Sequence, residues 1–399
     1  MIKNKLIVLS LITITVIVAA TIFANLRAPQ SEKQKVSFFP ELTKKIESVN
    51  HISIKGYNDS INLTRKNDAT GKPSGNWGID EFDGYPALPD KIKSTVLGAA
   101  DLKINAPKTA LPRLYHRLGV EGPEFEDTTS LLLTLADSNK NKIIEVIVGK
   151  PRLSSSAKNT SGLYVREPEK EKSYLVNGVL NISAIKTNWI KRSLFDIPAE
   201  AVKSVSVNHA DGDSYTLYKN EKGQEYFELE DTPNNQELAS ELIINRFGTI
   251  LQDLQISGAR SSTILPLDPG YCLGDNCPEG ETRNDVFAIN SLTRELDSTI
   301  KVMTFEGIVV RIRSFKHDGI AYASFKFSYN EEIGKNNNKE EVKNEDIKTY
   351  IANLNLDTTT PMRTPWWFEI PEFKYDIIKT RSDKITRDIQ NITPEEIIE

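Results

Sequence analysis

Four histidines, two cysteines and a knot of carboxylates are the side chains of this 399-residue chain with the reach to do chemistry. His51, His116, His209 and His317 are widely separated. None forms H-x-x-x-H or H-E-x-x-H, the spacing that sets two imidazoles on one helical face around a zinc ion. Each is expected at an ordinary surface or hydrogen-bonded position. Asp80, Glu81 and Asp83 crowd one loop after Trp77. Paired carboxylates can act as general acid and base, but solvated turns have the same composition. The letters GKPSG at 71–75 suit a phosphate loop in the wrong order and read better as a turn. No G-x-S-x-G elbow, Walker loop or G-x-G-x-x-G fingerprint occurs. No catalytic residue, metal ligand or cofactor site is therefore expected, and an enzymatic role stays open.

Cys272 and Cys277 lie in "DPGYCLGDNCPEGETRND". In an exported chain a close pair in such a loop is expected to form a disulfide. A metal site would want a second Cys or His pair, and the acids around it lack the EF-hand order. Recognition is better sought in the aromatics. Trp366 and Trp367, between Pro365 and Phe368, make a dense cluster that would serve a sugar or a protein partner if one ring stands exposed. Neighbours on a strand face opposite sides, so at most one of the two is expected in the core. Arg166 and Arg192 are expected to pair internally with acidic side chains.

The elements that would hold these residues repeat. Trp189 precedes "FDIP" and Trp366 precedes "FEIP". Before the first lie a hairpin ("HISIKGYNDSINLTRKN"), a third strand at 77–79, a helix after Pro89 with Asp90 as N-cap, and a strand series. Before the second lie "VKSVSVNHADGDSYTLYKN", "EYFELED", a helix over "QELASELIINRFGTILQDLQI" with Leu238, Leu242, Phe247, Leu251 and Leu254 on one face, and another series. Short strands at hairpin spacing predict antiparallel sheet. The expected fold is α+β: two diverged copies, residues 45–200 and 201–399, of a domain with antiparallel strands and packed amphipathic helices.

Residues 1–27 differ from the rest. Lys3 and Lys5 precede the uncharged run "LIVLSLITITVIVAATIF" at 6–23. At ~1.5 Å per residue it gives ~27 Å of helix, close to a bilayer's ~30 Å core. A transmembrane signal-anchor over 1–27, a linker over 28–44 and export of the remainder are expected, with the amino terminus cytoplasmic. A cleaved signal peptide ending near Val18-Ala19-Ala20 is the alternative. Beyond residue 27 there remain 47 basic against 55 acidic side chains, a net charge of −8. Such a surface argues against nucleic acid as partner.

The succession "INLTRKN…GNWGID…GYPALPDKIKSTVLGAADLK", "LYHRLGV", "VIVGK…GLYVRE…YLVNG" and "NWIKRSLFDIP" resembles the DUF4340 family, a domain of unknown function. The likeness is good over 45–205 and looser beyond, and the cysteine loop is not part of it. The resemblance implies a membrane-anchored extracytoplasmic protein of the bacterial inner membrane. It further implies a non-catalytic accessory role beside an ABC-type permease in transport or surface assembly. An envelope hydrolase acting on glycan or peptide, or a glycan-binding module, is the alternative.

Overall fold

The computed structural model describes residues 36–68, 70–152, 162–232, 235–261, 296–337, 341–359 and 365–389. The uncharged run at 6–23 and the Cys272–Cys277 loop lie outside the described residues. Among the described residues no helix is long and apolar enough to cross a membrane.

The fold is mixed α/β, built on two antiparallel sheets. The first comprises β1 (His51–Lys55), β2 (Ser60–Asn67), β3 (Pro73–Ile79), β4 (Tyr85–Pro86), β5 (Lys103–Pro107), β6 (Leu131–Ala136), β7 (Lys142–Arg152), β8 (Gly162–Arg166) and β9 (Ser173–Asn177). Its order is β4-β3-β2-β1-β6-β7-β8-β9-β5. The second uses β10 (Val202–His209), β11 (Ser214–Tyr218) and β12 (Glu228–Leu229). After β13 (Gln236–Leu238) come its remaining strands: β14 (Gly258–Ser261), β15 (Leu296–Thr304), β16 (Ile308–His317), β17 (Ile320–Tyr329) and β18 (Trp366–Glu369). Its order is β12-β11-β10-β15-β16-β17-β18-β14, while β13 pairs with β19 (Thr386–Asp388) as a separate ribbon.

Alternation sets the register. Ile52 and Ile54 face Leu63 and Ile61 on one side and Leu135 and Leu133 on the other. Val205 and Val207 face Leu217 and Tyr215, then Val302 and Ile300. A one-residue slip would turn either set to solvent, so burial holds the pairing. One hydrophobic cluster, from Phe38 to Ile385, draws on both sheets.

Two helix expectations change in detail. The helix Pro89–Ala100 buries Ile92, Val96, Ala99 and Ala100, but Ile104 belongs to β5. Its N-cap is Leu88 with Pro89 in the first turn, not Asp90. The helix expected over 236–256 breaks up. Residues Gln236–Leu238 pair with β19, Glu241–Asn245 is α-helical, and Arg246–Leu251 is a 3-10 turn. Leu242 is consequently exposed. Lys374, buried on the helix Glu372–Ile378, donates to the carbonyls of Thr249 and Gln252 at the end of that turn. The Thr249 carbonyl also takes the Gln252 amide at 3.1 Å, and the ammonium adds a further donor at a helical end where carbonyls run short of them. Burial pulls the lysine's pKa down despite Asp253 and Asp196 nearby.

The helix Glu341–Thr358 lies on β17, where Asn355 donates to the Phe327 carbonyl at 2.9 Å and accepts from its amide at 3.0 Å. The side-chain amide thus stands in for a neighbouring strand where β18 pairs only with Tyr322 and Ala323.

Candidate functional site

The loop of carboxylates and the tryptophan doublet meet at the seam between the sheets. The 3-10 turn Asp80–Phe82 ends in Asp83 with φ 54, the left-handed region that Asp tolerates better than most residues. Its carboxylate accepts from the Ser261 amide at 2.8 Å and lies 3.1 Å from Arg260 Nε. Both partners are on β14, so this contact ties the first sheet to the second. Asp80 accepts from Thr64 Oγ1 at 2.9 Å, and burial raises its pKa. Glu81 accepts from the Asn62 amide at 3.0 Å and from Asn62 Nδ2 at 2.9 Å. All three acids are engaged with their own chain.

Glu369 is a fourth acid at this seam. It pairs with Gly258 across β14–β18 and accepts from Ser257 Oγ at 3.3 Å. A Cβ at Gly258 would fall 2.5 Å from the Glu369 carboxylate, so glycine makes the room. Burial raises the Glu369 pKa, opposed by Ser257, Arg260 and Lys186. Because the folded value lies above the unfolded one, folding is favoured by the proton, and that contribution fades as pH rises through the elevated value. Urea midpoints of wild type and Glu369→Gln should therefore converge near about pH 4 and separate in the variant's favour near about pH 7. Equal differences at both pH values would show that the charge is not penalised.

The tryptophans correct the expectation of an exposed platform. Trp366 is 4% and Trp367 1% exposed. Trp366 meets Tyr85 edge-on at 5.2 Å, and Tyr85 also meets Phe368 at 5.9 Å. The two rings do face opposite sides of β18, but the outer side is covered as well. There Trp367 packs on Phe315 at 4.8 Å in a small cluster with Tyr322. Neither ring offers a free stacking face. Beside the seam a cleft of about 280 Å³ is lined by Tyr85, Leu88, Leu194, Leu356 and Trp366 among others.

The histidines lie apart from this seam. His209 Nδ1 accepts from Ser298 Oγ at 2.9 Å, and Nε2 donates to the Thr380 carbonyl at 3.0 Å. Asp213 is 4.0 Å from Nε2. Serine, histidine and aspartate thus come together, but Ser298 is 1% exposed and the ring's proton is committed to a backbone carbonyl. A nucleophilic serine needs access and a carboxylate-oriented ring, so this is a structural link. His51 contacts Thr64 Oγ1 at 3.2 Å, and His317 lies 3.4 Å from Asp318. His116 is exposed in a short helix.

Arg166 pairs with carbonyls, not with the acidic side chain expected: Nε donates to Val120 at 2.9 Å and Nη1 to Pro168 at 3.0 Å. Arg192 Nε reaches the Ile256 carbonyl at 3.4 Å. Among the described residues no group of three or more His, Cys, Asp or Glu is placed to hold a metal ion. Arg260, the residue that completes the seam, carried no local signal. It is joined to the carboxylate loop across 178 residues of sequence through its neighbour Ser261.

No curated protein and no solved structure matches the chain. Residues 77–270 match the model of DUF4340, described as a domain of unknown function. That range begins at Trp77 and contains Asp83, Tyr85, Trp189 and Arg260, so one side of the seam and its ion pair fall within it. Residues 77–270, a little under half of the chain, are thus similar to the DUF4340 family.

Proposed function

We propose that the chain is a membrane-anchored, extracytoplasmic and non-catalytic accessory subunit of an ABC-type transport or surface-assembly system, working through protein–protein contacts. The observation that carries this reading is the uncharged run at 6–23 behind Lys3 and Lys5, ahead of the DUF4340 match. The anchor holds the remaining chain at the outer surface of a bacterial inner membrane, where confinement raises its effective concentration near a permease and weak contacts suffice. The internal engagement of Asp80, Glu81, Asp83 and Ser298 supports a binding role over a catalytic one. Leu356, 73% exposed beside the seam cleft, supplies an apolar contact point there.

The finer architecture in this proposal is a duplication. The orders β2-β1-β6-β7-β8 and β11-β10-β15-β16-β17 correspond, and a tryptophan–Ile-Pro element follows each series. Superposing the first five strands on the second five should bring Ile52 and Ile54 onto Val205 and Val207. A one-residue offset, which would place them on opposite faces, would remove this reading.

Cross-linking the full chain in intact cells, followed by gentle solubilisation and mass spectrometry, tests the accessory role. A permease or its ATPase subunit should be enriched over a control carrying the anchor alone. Replacing residues 3–23 with a cleavable signal should abolish the enrichment. Absence of any enriched transport component would overturn the proposal.

A further inference from the structure

The outward face of the second sheet carries a row of uncompensated positive charge. Lys301 on β15 pairs with Arg311 on β16, and Arg311 with Lys326 on β17. All three side chains are exposed. Three cations thus lie directly opposite one another on adjacent strands, an arrangement that opposes sheet formation. Among the described residues none of the three has a carboxylate partner. The other residues of the row, Ser206 and Thr216, are neutral.

The fold does not require this charge. In the first sheet the residue between the two core-facing isoleucines of β1 is Ser53, and its row continues through Thr134 to Glu145. Glu145 is ion-paired with Lys142 at 2.8 Å. The same row is therefore balanced in one sheet and purely basic in the other, within a chain of net charge −5.

We infer that the outer face of β15–β17 lies against the headgroups of anionic phospholipids. Strands spaced ~4.8 Å apart make the row ~10 Å wide. Ser206 and Thr216 continue the row on β10 and β11, and Ser324 and Ser328 flank Lys326 along β17, with Met303 and Val309 as the row's apolar neighbours. Glu230 and Asp231 border only its β12 end, along the groove beside Lys301. Such a face suits a surface of repeated negative charge better than a single ligand. At roughly fivefold per cation near such a surface, three cations favour contact on the order of 100-fold. This inference rests on the anchored reading for its proximity to the bilayer, and it adds which face turns toward it.

The test reconstitutes the full chain into vesicles of phosphatidylcholine alone or with added phosphatidylglycerol, and measures lysine acylation by mass spectrometry. Lys301 and Lys326 should be protected several-fold only with phosphatidylglycerol, with Lys44 and Lys384 unchanged as exposed references. High salt should remove the protection, and Arg311→Gln should weaken it at both lysines. Carbonate extraction reads the anchor separately. A carbonate-resistant chain with equal labelling on both vesicles would overturn this inference and leave the anchor intact. If carbonate releases the chain, salt-sensitive flotation with phosphatidylglycerol vesicles, lost in the Lys301→Gln/Arg311→Gln/Lys326→Gln variant, would still support the face. Absence of flotation would overturn it. Protection on phosphatidylcholine that appears only when solubilised membrane proteins are added would overturn it in favour of an acidic protein partner.

Discussion

Trp366→Ala should destabilise the protein by about 3–5 kcal/mol, the range for deleting a large buried aromatic. The ring is 4% exposed and meets Tyr85 of the first sheet edge-on at 5.2 Å. Its loss removes apolar burial and opens a void in the seam that Phe368 cannot fill without leaving its own contact with Tyr85. A double-mutant cycle with Tyr85→Leu should return a coupling of about 0.5–1.5 kcal/mol. Hydrogen exchange at the Ser261 amide, held by Asp83 at 2.8 Å, should accelerate because both contacts clamp the same seam. Trp367→Phe should cost far less. Its Nε1 is buried without a hydrogen-bond partner, so the smaller ring forfeits area but also relieves an unsatisfied donor. A Trp366→Ala variant within about 1 kcal/mol of wild type would show that the seam does not depend on this ring.

Burial of both tryptophans marks the limit of what short-range pattern can carry. Alternation along β18 is legible, since neighbouring residues face opposite sides of a sheet. Whether the outer side is wet depends on Phe315 and Tyr322, which belong to strands distant in sequence. The hairpins were legible for a local reason. Apolar residues at period two flank polar turns, and Gly212 takes φ 95 at the Asp-Gly turn between β10 and β11. The helix Pro89–Ala100 was legible because its buried residues recur at helical spacing with proline at the start. Residues 236–256 have similar apolar spacing, yet β13 is claimed by β19, some 150 residues later. A distant strand outcompeted a local propensity that is worth only tenths of a kcal/mol per residue. The Asp83–Arg260 pair is the same kind of fact: each residue alone reads as solvated surface, and only the fold brings them to 3.1 Å.

Arg166→Ala should cost about 3–5 kcal/mol, because it removes several charge-assisted hydrogen bonds from a buried site at once. The side chain is 9% exposed, and its guanidinium bonds Val120, Pro168 and Lys170 carbonyls at 2.9, 3.0 and 3.3 Å. It lies 4.4 Å over the Tyr115 ring, whose hydroxyl donates to the Glu171 carbonyl at 2.5 Å. One planar fork therefore holds three segments: the turn after the short helix Tyr115–Leu118, the end of β8 and the turn leading to β9. Truncation would strand three carbonyls, each losing a charge-assisted bond, and would uncover the Tyr115 face. Arg166→Lys keeps the charge but not the fork, and an ammonium cannot reach Val120 and the 168–170 turn together while stacking on the ring. It should still lose about 2 kcal/mol. Denaturant midpoints of the two variants give the ordering, and exchange at residues 118–122 locates the damage. A lysine variant as stable as wild type would mean that charge alone holds this corner, and that the planar geometry contributes nothing to it.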